Sequence, residues 1–402
     1  MTNFSNSTIT STFGARSASP SNSWLAVLSV ALTATVFCAS EFMPVGLLRY
    51  VAEGLKVSEG TAGLMATVPG ILAAFAAPLV TVAAVRADRR RVLLLLGALL
   101  AASNIIAMLA PNFAVLLFGR VLFGIGIGGF WAIGVGVGGR LVPAASVAKA
   151  TSIIFAGISL GMLIGGPVGA FLGHVFGWRT AFGLSAFLSL VALFAQFATL
   201  PHLRVTERVK ARDLLGIVAT PSGRVGFLAM LFVLVGHYAT YTYVTPILAQ
   251  VFGFHDKAIS SLLLGYTLIG MVGNFLGGAG GGWNVKLTLS VSTLLIMIPV
   301  ALLPLHGVTQ ATAIALLAVW GLAYGAMPIA LQMWMMKAAP GIPEGGMALF
   351  VANFQVSIAL GSLFGGLVVD GLGLRSAMYF GAIVSLVALL ILLAFSPRSM
   401  KG

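Results

Sequence analysis

Charged residues are scarce in this chain, and their scarcity excludes a soluble globular fold. They account for 8% of its 402 residues, against about one quarter in an ordinary soluble domain. Hydrophobic residues account for 59%, and a soluble fold of that composition would leave most of its apolar surface in water. The single cysteine, Cys38, excludes an intramolecular disulfide and a cysteine-based metal site. We interpret Cys38 as a packing residue.

Acidic residues are scarcer still, with nine Asp and Glu against 22 Lys and Arg and a net charge of +13. Such a balance is typical of proteins that bind nucleic acid or a membrane surface. The basic residues stand in short loops between long apolar runs. We therefore expect a lipid bilayer as the partner and no nucleic acid.

The apolar runs predict twelve transmembrane helices, since one crossing needs about 20 predominantly apolar residues. They lie near 24–48, 61–85, 92–110, 113–138, 149–173, 179–200, 224–250, 258–282, 286–304, 309–337, 345–369 and 375–396. The predicted fold class is an all-α integral membrane protein with two six-helix bundles, residues 24–200 and 224–396. A polar cytoplasmic linker, 201–223, joins the two bundles.

The distribution of basic residues predicts the orientation of the chain. With both termini in the cytoplasm, sixteen of the 22 basic residues fall on the inside and five on the outside. Cytoplasmic loops carry the excess of Lys and Arg, which supports this orientation. Residues 1–23 lack the apolar core of a signal peptide, so we expect a disordered cytoplasmic tail there. A second short cytoplasmic tail is expected over 397–402.

The two halves repeat each other in sequence. The segment GWRTAF at 177–182 resembles GLRSAM at 373–378. Aligning the two segments pairs Gly165 with Gly361 and Gly169 with Gly365. Two parallel six-helix repeats are a known plan of transporters, which bind substrate near the midplane between the repeats.

Glu41 is the one acidic residue that lies well inside a predicted span. Charge inside a bilayer is costly and indicates a functional site by default. Burial penalises the charged form of a carboxylate, so Glu41 is predicted to carry protons near neutral pH. The alternative is a carboxylate near the outer surface that pairs with Arg49 or with water.

Arg120 is the one basic residue deep in a span, and Gly124 and Gly128 follow it at helical spacing. Glycines allow another helix to approach closely, and Arg120 needs a polar partner or a wet cavity. We expect Arg120 to take part in proton coupling with Glu41. The alternative is a side chain that extends to the headgroups at the outer end of its helix.

The seventh span carries a cluster of aromatic residues and one histidine, GHYATYTY over 236–243. His237 and Tyr241 lie four residues apart and therefore share a helix face. Imidazole takes up a proton near neutral pH, so His237 is a third candidate for proton coupling. Tyr238 and Tyr241 are candidates for substrate binding by stacking or hydrogen bonding. The alternative is an aromatic belt at the membrane interface.

Amide and aromatic side chains inside other spans are further candidates for substrate contacts. Amides can bind a polar, uncharged ligand, although in a bundle they can also bridge helices. The candidates are Phe130, Trp131, Asn274, Gln332, Trp334, Asn353 and Gln355.

Two motifs are candidates for a role in conformational change. The fifth span carries glycines four residues apart and then a proline, which predicts a smooth groove and a kink. The loop between the second and third spans carries one acid and a run of arginines, which indicates topology or a latch to neighbouring helix ends. The residues concerned are Gly161, Gly165, Gly166 and Pro167 in the span, and Asp88, Arg89 and Arg91 in the loop.

These features together resemble the major facilitator superfamily over residues 24–396, and within it the twelve-helix drug:proton antiporter type. The loop motif appears as Asp88 with its arginines, the fourth-span motif as Arg120 with two glycines, and the fifth-span motif as the glycines before Pro167. The loop motif departs from the common pattern, because Asp88 stands where the family has a glycine. A latch at this loop is therefore expected to be rebuilt or weaker.

Three segments, 41–48, 128–132 and 140–143, are similar to the bacterial branch of sugar-efflux and purine-ribonucleoside-efflux pumps. The resemblance implies a proton-coupled exporter of a small polar metabolite, a purine nucleoside or a sugar, in a bacterial inner membrane. Export would proceed by alternating access, with the proton gradient as the energy source. We expect a monomer that needs no cofactor.

Other functions fit the sequence less well. A multidrug/proton antiporter of amphiphilic compounds needs an acidic, aromatic cavity, and Glu41 is the only deep acid. An enzyme is not expected, since the sequence has no paired acid–base site and no metal-ligand spacing. A non-transporting receptor would usually carry a soluble effector domain, and the longest polar segment is too short to form one.

Overall fold

The computed structural model describes residues 20–83, 88–203, 218–338 and 343–394, and these residues form helices joined by short connections. The eleven long helices are α1 (Pro20–Leu55), α2 (Glu59–Ala83), α3 (Arg89–Leu109), α4 (Phe113–Leu141), α5 (Val147–Phe176), α6 (Trp178–Thr199), α7 (Pro221–Tyr241), α8 (Asp256–Leu302), α9 (Gln310–Ala338), α10 (Pro343–Leu372) and α11 (Leu374–Ala394). All eleven contain a stretch long and apolar enough to cross a membrane. The chain is therefore a multi-pass membrane protein, as predicted.

Helix α8 contains two of the twelve predicted crossings. Its 47 residues are interrupted at Asn284, whose φ of −151° and ψ of 96° are not helical. The Asn284 side chain accepts a hydrogen bond from the Leu287 N–H at 3.0 Å, which caps the second segment. Gln310, after α8, donates to the carbonyl of Phe252, before α8, at 2.9 Å. The two ends of α8 are therefore neighbours, and the chain turns back at Asn284.

Several helix ends differ from the predicted spans; α1, for example, ends at Leu55 and not near residue 48. Helix α1 begins at Pro20, inside the tail predicted over 1–23. Helix α7 ends at Tyr241, well short of residue 250, and is followed by one turn at Val244–Pro246 and a π-helix at Ile247–Val251. Pro246 has no N–H for the carbonyl of Thr242, so a regular helix cannot continue there. Most of the predicted tails and linker, 1–19, 204–217 and 395–402, lies outside the described residues.

The two halves are built on the same close contacts between helices. A Cβ added to Gly165 of α5 would lie 2.7 Å from the carbonyl oxygen of Ala39 in α1. A Cβ added to Gly361 of α10 would lie 2.7 Å from the carbonyl oxygen of Val235 in α7. The two pairs have the same separation along the chain. The repeat of six helices predicted from the sequence is therefore present in the packing.

The two halves contact each other at the end of the bundle that holds the α1–α2 turn. Asp370 of α10 accepts hydrogen bonds from the Ser58 hydroxyl at 2.6 Å and from the Gly60 N–H at 2.9 Å. Arg49 of α1 pairs with Asp256 of α8 at 2.9 Å. Hydrogen bonds and ion pairs thus hold this end closed. We call it the α1–α2 end.

Candidate functional site

Glu41 lies in the middle of α1, where the two halves face each other. Its carboxylate accepts a hydrogen bond from the side-chain amide of Gln355 in α10 at 2.9 Å. The Gln355 side chain is buried, whereas Glu41 is only partly buried. Arg49, the alternative partner considered from the sequence, instead pairs with Glu53 and Asp256. The deep acid therefore bonds to the opposite half of the protein.

Arg120 lies in α4, which packs against α1, and its side chain is only 1% exposed. It does not extend to the headgroups. Its Nε donates to the carbonyl oxygen of Met65 at 2.9 Å and its Nη1 to that of Ser40 at 3.3 Å. Its guanidinium also lies 4.1 Å from the ring centroid of Phe123, a favourable cation–π geometry.

Arg120 and Glu41 interact through space and without a direct contact. The Arg120 guanidinium reaches the carbonyl oxygen of Ser40, the residue directly before Glu41. They do not form a direct ion pair among the described contacts. The positive charge of Arg120 can therefore act on Glu41 while the carboxylate remains free to bond to another group.

His237 occupies the centre of an aromatic cluster in the second half. Its Nδ1 accepts a hydrogen bond from the indole N–H of Trp320 at 3.1 Å, which assigns the ring proton to Nε2. The ring stacks on Tyr324, with centroids 3.9 Å apart, and on Tyr241, with centroids 5.1 Å apart. A second proton on Nδ1 would face the Trp320 N–H. Proton coupling by His237 stays a prediction, and this geometry opposes it.

Four aromatic residues of this cluster were not identified from the sequence. They are Tyr266, Trp320, Tyr324 and Phe354. The Tyr238 and Tyr324 hydroxyls share a hydrogen bond of 2.7 Å, so the predicted and unpredicted tyrosines form one unit. Aromatic belts lie near the ends of membrane helices. The mid-span positions of Tyr266 in α8 and of Trp320 and Tyr324 in α9 were therefore an available signal.

Two of the other candidates are held by contacts within their own half. Asn353 donates to the carbonyl of Phe227 at 2.7 Å and accepts from the Ser357 hydroxyl at 3.1 Å. Trp334 is fully buried and donates to the carbonyl of Ser222 at 3.1 Å. These are the contacts of residues that fasten α10 and α9 to α7.

The remaining candidates show no common site. Phe130 is 1% exposed and stacks on Phe37, with centroids 4.9 Å apart. Trp131 and Gln332 are partly buried, and Asn274 is exposed. A substrate role for these residues stays a prediction.

The loop motif contacts the end of α6 in its own half. Asp88 accepts hydrogen bonds from the N–H groups of Arg90 and Leu203, at 3.0 and 2.9 Å, and also contacts the His202 ring. Burial by itself would raise the pKa of Asp88, but the hydrogen bond from His202 and those from the backbone outweigh burial and lower the pKa. Arg89 donates its N–H to the carbonyl of Leu203 at 3.0 Å, and Arg91 is exposed.

The glycine motif of α5 packs on α1 beside Glu41. Gly161 faces the carbonyl of Thr35, and a Cβ added to Gly169 would lie 2.8 Å from that of Met43. Gly166 lies at the boundary between the halves, since a Cβ added there would be 3.9 Å from the Tyr241 hydroxyl. Pro167 is inside the helix. The motif therefore sets the distance between α5 and the helix that carries the deep acid.

A model of the Major Facilitator Superfamily matches residues 30–345, and the chain belongs to this superfamily. The purine ribonucleoside efflux pump NepI of Shigella sonnei (strain Ss046) is 31% identical over 369 residues, which cover 92% of this chain and 93% of the relative. NepI of Escherichia coli (strain K12) has the same identity and coverage. The chain is therefore a membrane transporter of this superfamily and not an enzyme.

Solved structures show the same fold. A bacterial homologue of the human lysosomal transporter Spinster, in an inward-facing and unoccupied conformation, has a TM-score of 0.78 and 17% identity, over 95% of this chain and 100% of its own. A mutant of the nucleoside transporter NupG has a TM-score of 0.76 and 14% identity, over 94% and 100% of the two chains. At these identities the likeness shows the shared architecture alone.

Proposed function

We propose that this chain is a proton-coupled exporter of a small polar metabolite, with purine nucleosides favoured over sugars. The observation that carries the proposal is the position of Glu41, an acid at mid-span that bonds to Gln355 of the other half and follows directly on Ser40, whose carbonyl oxygen Arg120 contacts. Relatives that are 31% identical over most of the chain are purine ribonucleoside efflux pumps, which supports the choice of substrate. We place the chain as a monomer in a bacterial inner membrane, with both termini in the cytoplasm.

In this orientation the α1–α2 end is the outer end, and the described state is closed to the outside. Opening to the outside requires that the contacts of Asp370 and Asp256 break. Glu41 would then take up a proton from the outside. Protonation removes the charge that the Gln355 amide stabilises, and return to the closed state brings the proton to the inner side.

Substrate and proton would compete through this shared change of conformation. Two ligands are coupled when each binds one of two states better than the other. The Gln355 amide has two N–H donors, so the number of acceptors that it can bond to at once is limited. Glu41 and a ligand therefore compete for it. Export of the solute therefore depends on whether Glu41 carries a proton.

The aromatic cluster of the second half supports a planar ligand. Tyr241 and Tyr324 stack on His237, and the Tyr238 and Tyr324 hydroxyls bond to each other. A planar base that replaced these contacts would stack on the same rings. His237 Nε2 and the Tyr266 hydroxyl are buried and without a partner among the described residues. Buried polar groups are almost always satisfied, so a ligand or water is expected to bond to them.

Transport in proteoliposomes with an acidic lumen tests the proposal. We expect the gradient to drive uptake of labelled inosine by the wild type, and Glu41→Gln to abolish that uptake. Glu53→Gln is the matched control, since Glu53 is an exposed acid of the same helix and its loss should leave transport intact. A labelled pentose and an amphiphilic dye cation are run in parallel.

Each result assigns a function. Uptake of the pentose and not of inosine would point to sugar export. Uptake of the dye alone would contradict the metabolite exporter and favour a multidrug antiporter. Inosine uptake by Glu41→Gln at the wild-type rate would contradict the role of Glu41.

A further inference from the structure

The partners of Arg120 raise a question about how a buried charge is stabilised. Its two described acceptors are main-chain carbonyl oxygens, of Ser40 in α1 and Met65 in α2. In a regular helix a carbonyl accepts the N–H four residues later, so it has limited capacity for another donor. A buried guanidinium without strong acceptors is expensive.

Both carbonyls lie four residues before a proline. Pro44 follows Ser40 inside α1, and Pro69 follows Met65 inside α2. Proline has no N–H and cannot bond to the carbonyl four residues earlier. The oxygens that Arg120 contacts are therefore the two that these prolines leave without their helical donor.

The glycines after Arg120 bring its helix to this place. A Cβ on Gly124 would lie 2.7 Å from the Pro69 carbonyl oxygen, and one on Gly128 would lie 2.5 Å from that of Ala73. Arg120 lies one turn before Gly124, and Met65 lies one turn before Pro69. Arg120 donates to the Met65 carbonyl oxygen. All three contacts have the same separation along the chain, so α4 lies on α2 in one register.

We propose that Pro44 and Pro69 are positioning residues that free two main-chain carbonyls to hold Arg120 beside Glu41. The anchor consists of backbone and does not depend on a carboxylate. Arg120 therefore keeps its place and its charge whether Glu41 is protonated or not. The anchoring of Arg120 stands by itself, whereas its consequence for proton coupling rests on the proposed function.

Thermal unfolding of the purified full-length protein in detergent tests the anchor without any transport assay. Arg120→Met leaves two buried carbonyls without a donor, and Pro44→Ala supplies one of them with an N–H. We therefore expect each single variant to lower the Tm. The double variant should lose less than the sum by at least about 2 °C, since neighbouring groups couple.

The control is Pro299→Ala, which changes a buried proline inside α8. Its effect on the Tm should add to that of Arg120→Met within error. Pro69→Ala gives a second cycle if Pro44→Ala cannot be purified. Additive losses in the cycles with Pro44→Ala and Pro69→Ala, as in the control, would overturn the anchor.

The pH dependence of inosine transport then tests the coupling. Pro44→Ala should move the pH at half-maximal rate by about half a unit or more, and Pro299→Ala should not. An unchanged midpoint in Pro44→Ala would overturn the coupling role, even where the unfolding cycle supports the anchor. Failure of the wild type to transport inosine would count against the proposed function, and the unfolding cycles would still decide the anchor.

Discussion

The first and second halves of this transporter share one helix packing, but they place different polar side chains at mid-span. Gly165 contacts α1 in the first half, and Gly361 makes the equivalent contact with α7 in the second half. In that alignment Glu41 of the first half corresponds to His237 of the second. The acid bonds across to the other half, whereas the imidazole bonds to Trp320 of its own half.

The surroundings of these two residues differ in the same way. Helices α2 and α4 pack with the same register as α8 and α9, where a Cβ on Gly321 would lie 2.6 Å from the Tyr266 carbonyl. The first residues of α2 and α8, Glu59 and Asp256, are 197 positions apart, and so are those of α4 and α9, Phe113 and Gln310. Leu317 thus occupies the place of Arg120. Thr240 and Tyr266 occupy the places of Pro44 and Pro69, and both have an N–H. The second half therefore lacks the buried cation and the freed carbonyls of the first.

The comparison indicates a division of labour between the halves. Small residues at helix contacts fix the scaffold, and they are shared. Side chains at mid-span decide the chemistry, and they are not shared. We expect the first half to handle the proton and the second half to recognise the planar part of the ligand.

The largest expected effect separates Glu41 from His237. Glu41→Gln should reduce gradient-driven transport to background, because no other acid lies at mid-span in the helices that the structure describes. His237→Gln should keep the pH dependence of transport. It should raise the KM for inosine about fivefold, since the ligand would lose its hydrogen bond to His237 Nε2, which is worth about 1 kcal/mol. Initial rates against pH and substrate concentration measure both. Loss of the pH dependence in His237→Gln would contradict the proposal that only the first half handles the proton.

The shared scaffold predicts equal effects at paired glycines. Gly165→Ala and Gly361→Ala place a Cβ at the same 2.7 Å from a carbonyl oxygen. Overpacking of this kind costs about 1–3 kcal/mol, so each should lower the thermal stability by a similar amount. Gly136→Ala is the control, since nothing lies within 4 Å of its added Cβ. A large loss at only one of the two sites would contradict an equivalent packing.

A contact between the halves should matter more for closure than one within a half. Asp370→Ala removes hydrogen bonds to Ser58 and Gly60, and each such bond to a charged group is worth about 1.5–3 kcal/mol. We expect the α1–α2 end to open more often. Ser362 is buried in α10, about two turns before Asp370. Labelling of Ser362→Cys with a thiol reagent, in a Cys38→Ser background, should then become faster.

Glu53→Ala is the control for closure. Glu53 lies at the same end, but its ion pair with Arg49 stays within α1. Its labelling rate should therefore equal that of the unmodified background. Equal acceleration in both variants would show that Asp370 has no special role in closure.

The smallest expected effect concerns two helix caps, Asp88 before α3 and Asn284 inside α8. Asp88→Ala and Asn284→Ala should each cost about 1 kcal/mol. The pKa of Asp88 is lowered in the folded state from its ordinary value of 3.8, by the His202 and backbone hydrogen bonds that outweigh burial. Its charge therefore stabilises the fold above that value, and the stabilisation is lost as the pH falls through the folded pKa.

Unfolding midpoints at pH 7 and at a pH well below 3.8 measure this difference. The loss caused by Asp88→Asn should shrink at the lower pH, because the unfolded carboxyl has then taken up its proton and the folded carboxyl begins to do so. The loss caused by Asn284→Ala should be the same at both pH values, since an amide does not titrate. A pH-independent loss at Asp88 would contradict the role of its charge.

Much of the architecture could be predicted from the sequence, because membrane insertion depends on local composition. Runs of about 20 apolar residues gave the crossings, including the two now seen within α8. The turn at Asn284 lies inside the gap, 283–285, that the prediction left between the eighth and ninth spans. The glycines that pair α1 with α5 were also found, since a small residue every four positions is a local pattern.

The partners of the polar residues could not be predicted in the same way. Glu41 and Gln355 are far apart in the chain, and only the packing of α1 against α10 brings them together. The same holds for His237 and Trp320. Hydropathy places a residue at a depth in the membrane, but it gives no direction around the helix axis with respect to distant helices.

The sequence by itself determined how many times the chain crosses the bilayer and which polar residues lie deep in it. Both follow from the free energy of transferring single segments into hydrocarbon. The tertiary structure decided that Arg120 is held by carbonyls and that Glu41 bonds to the opposite half. These outcomes depend on the register between helices, which close packing fixes only when all of them are in place.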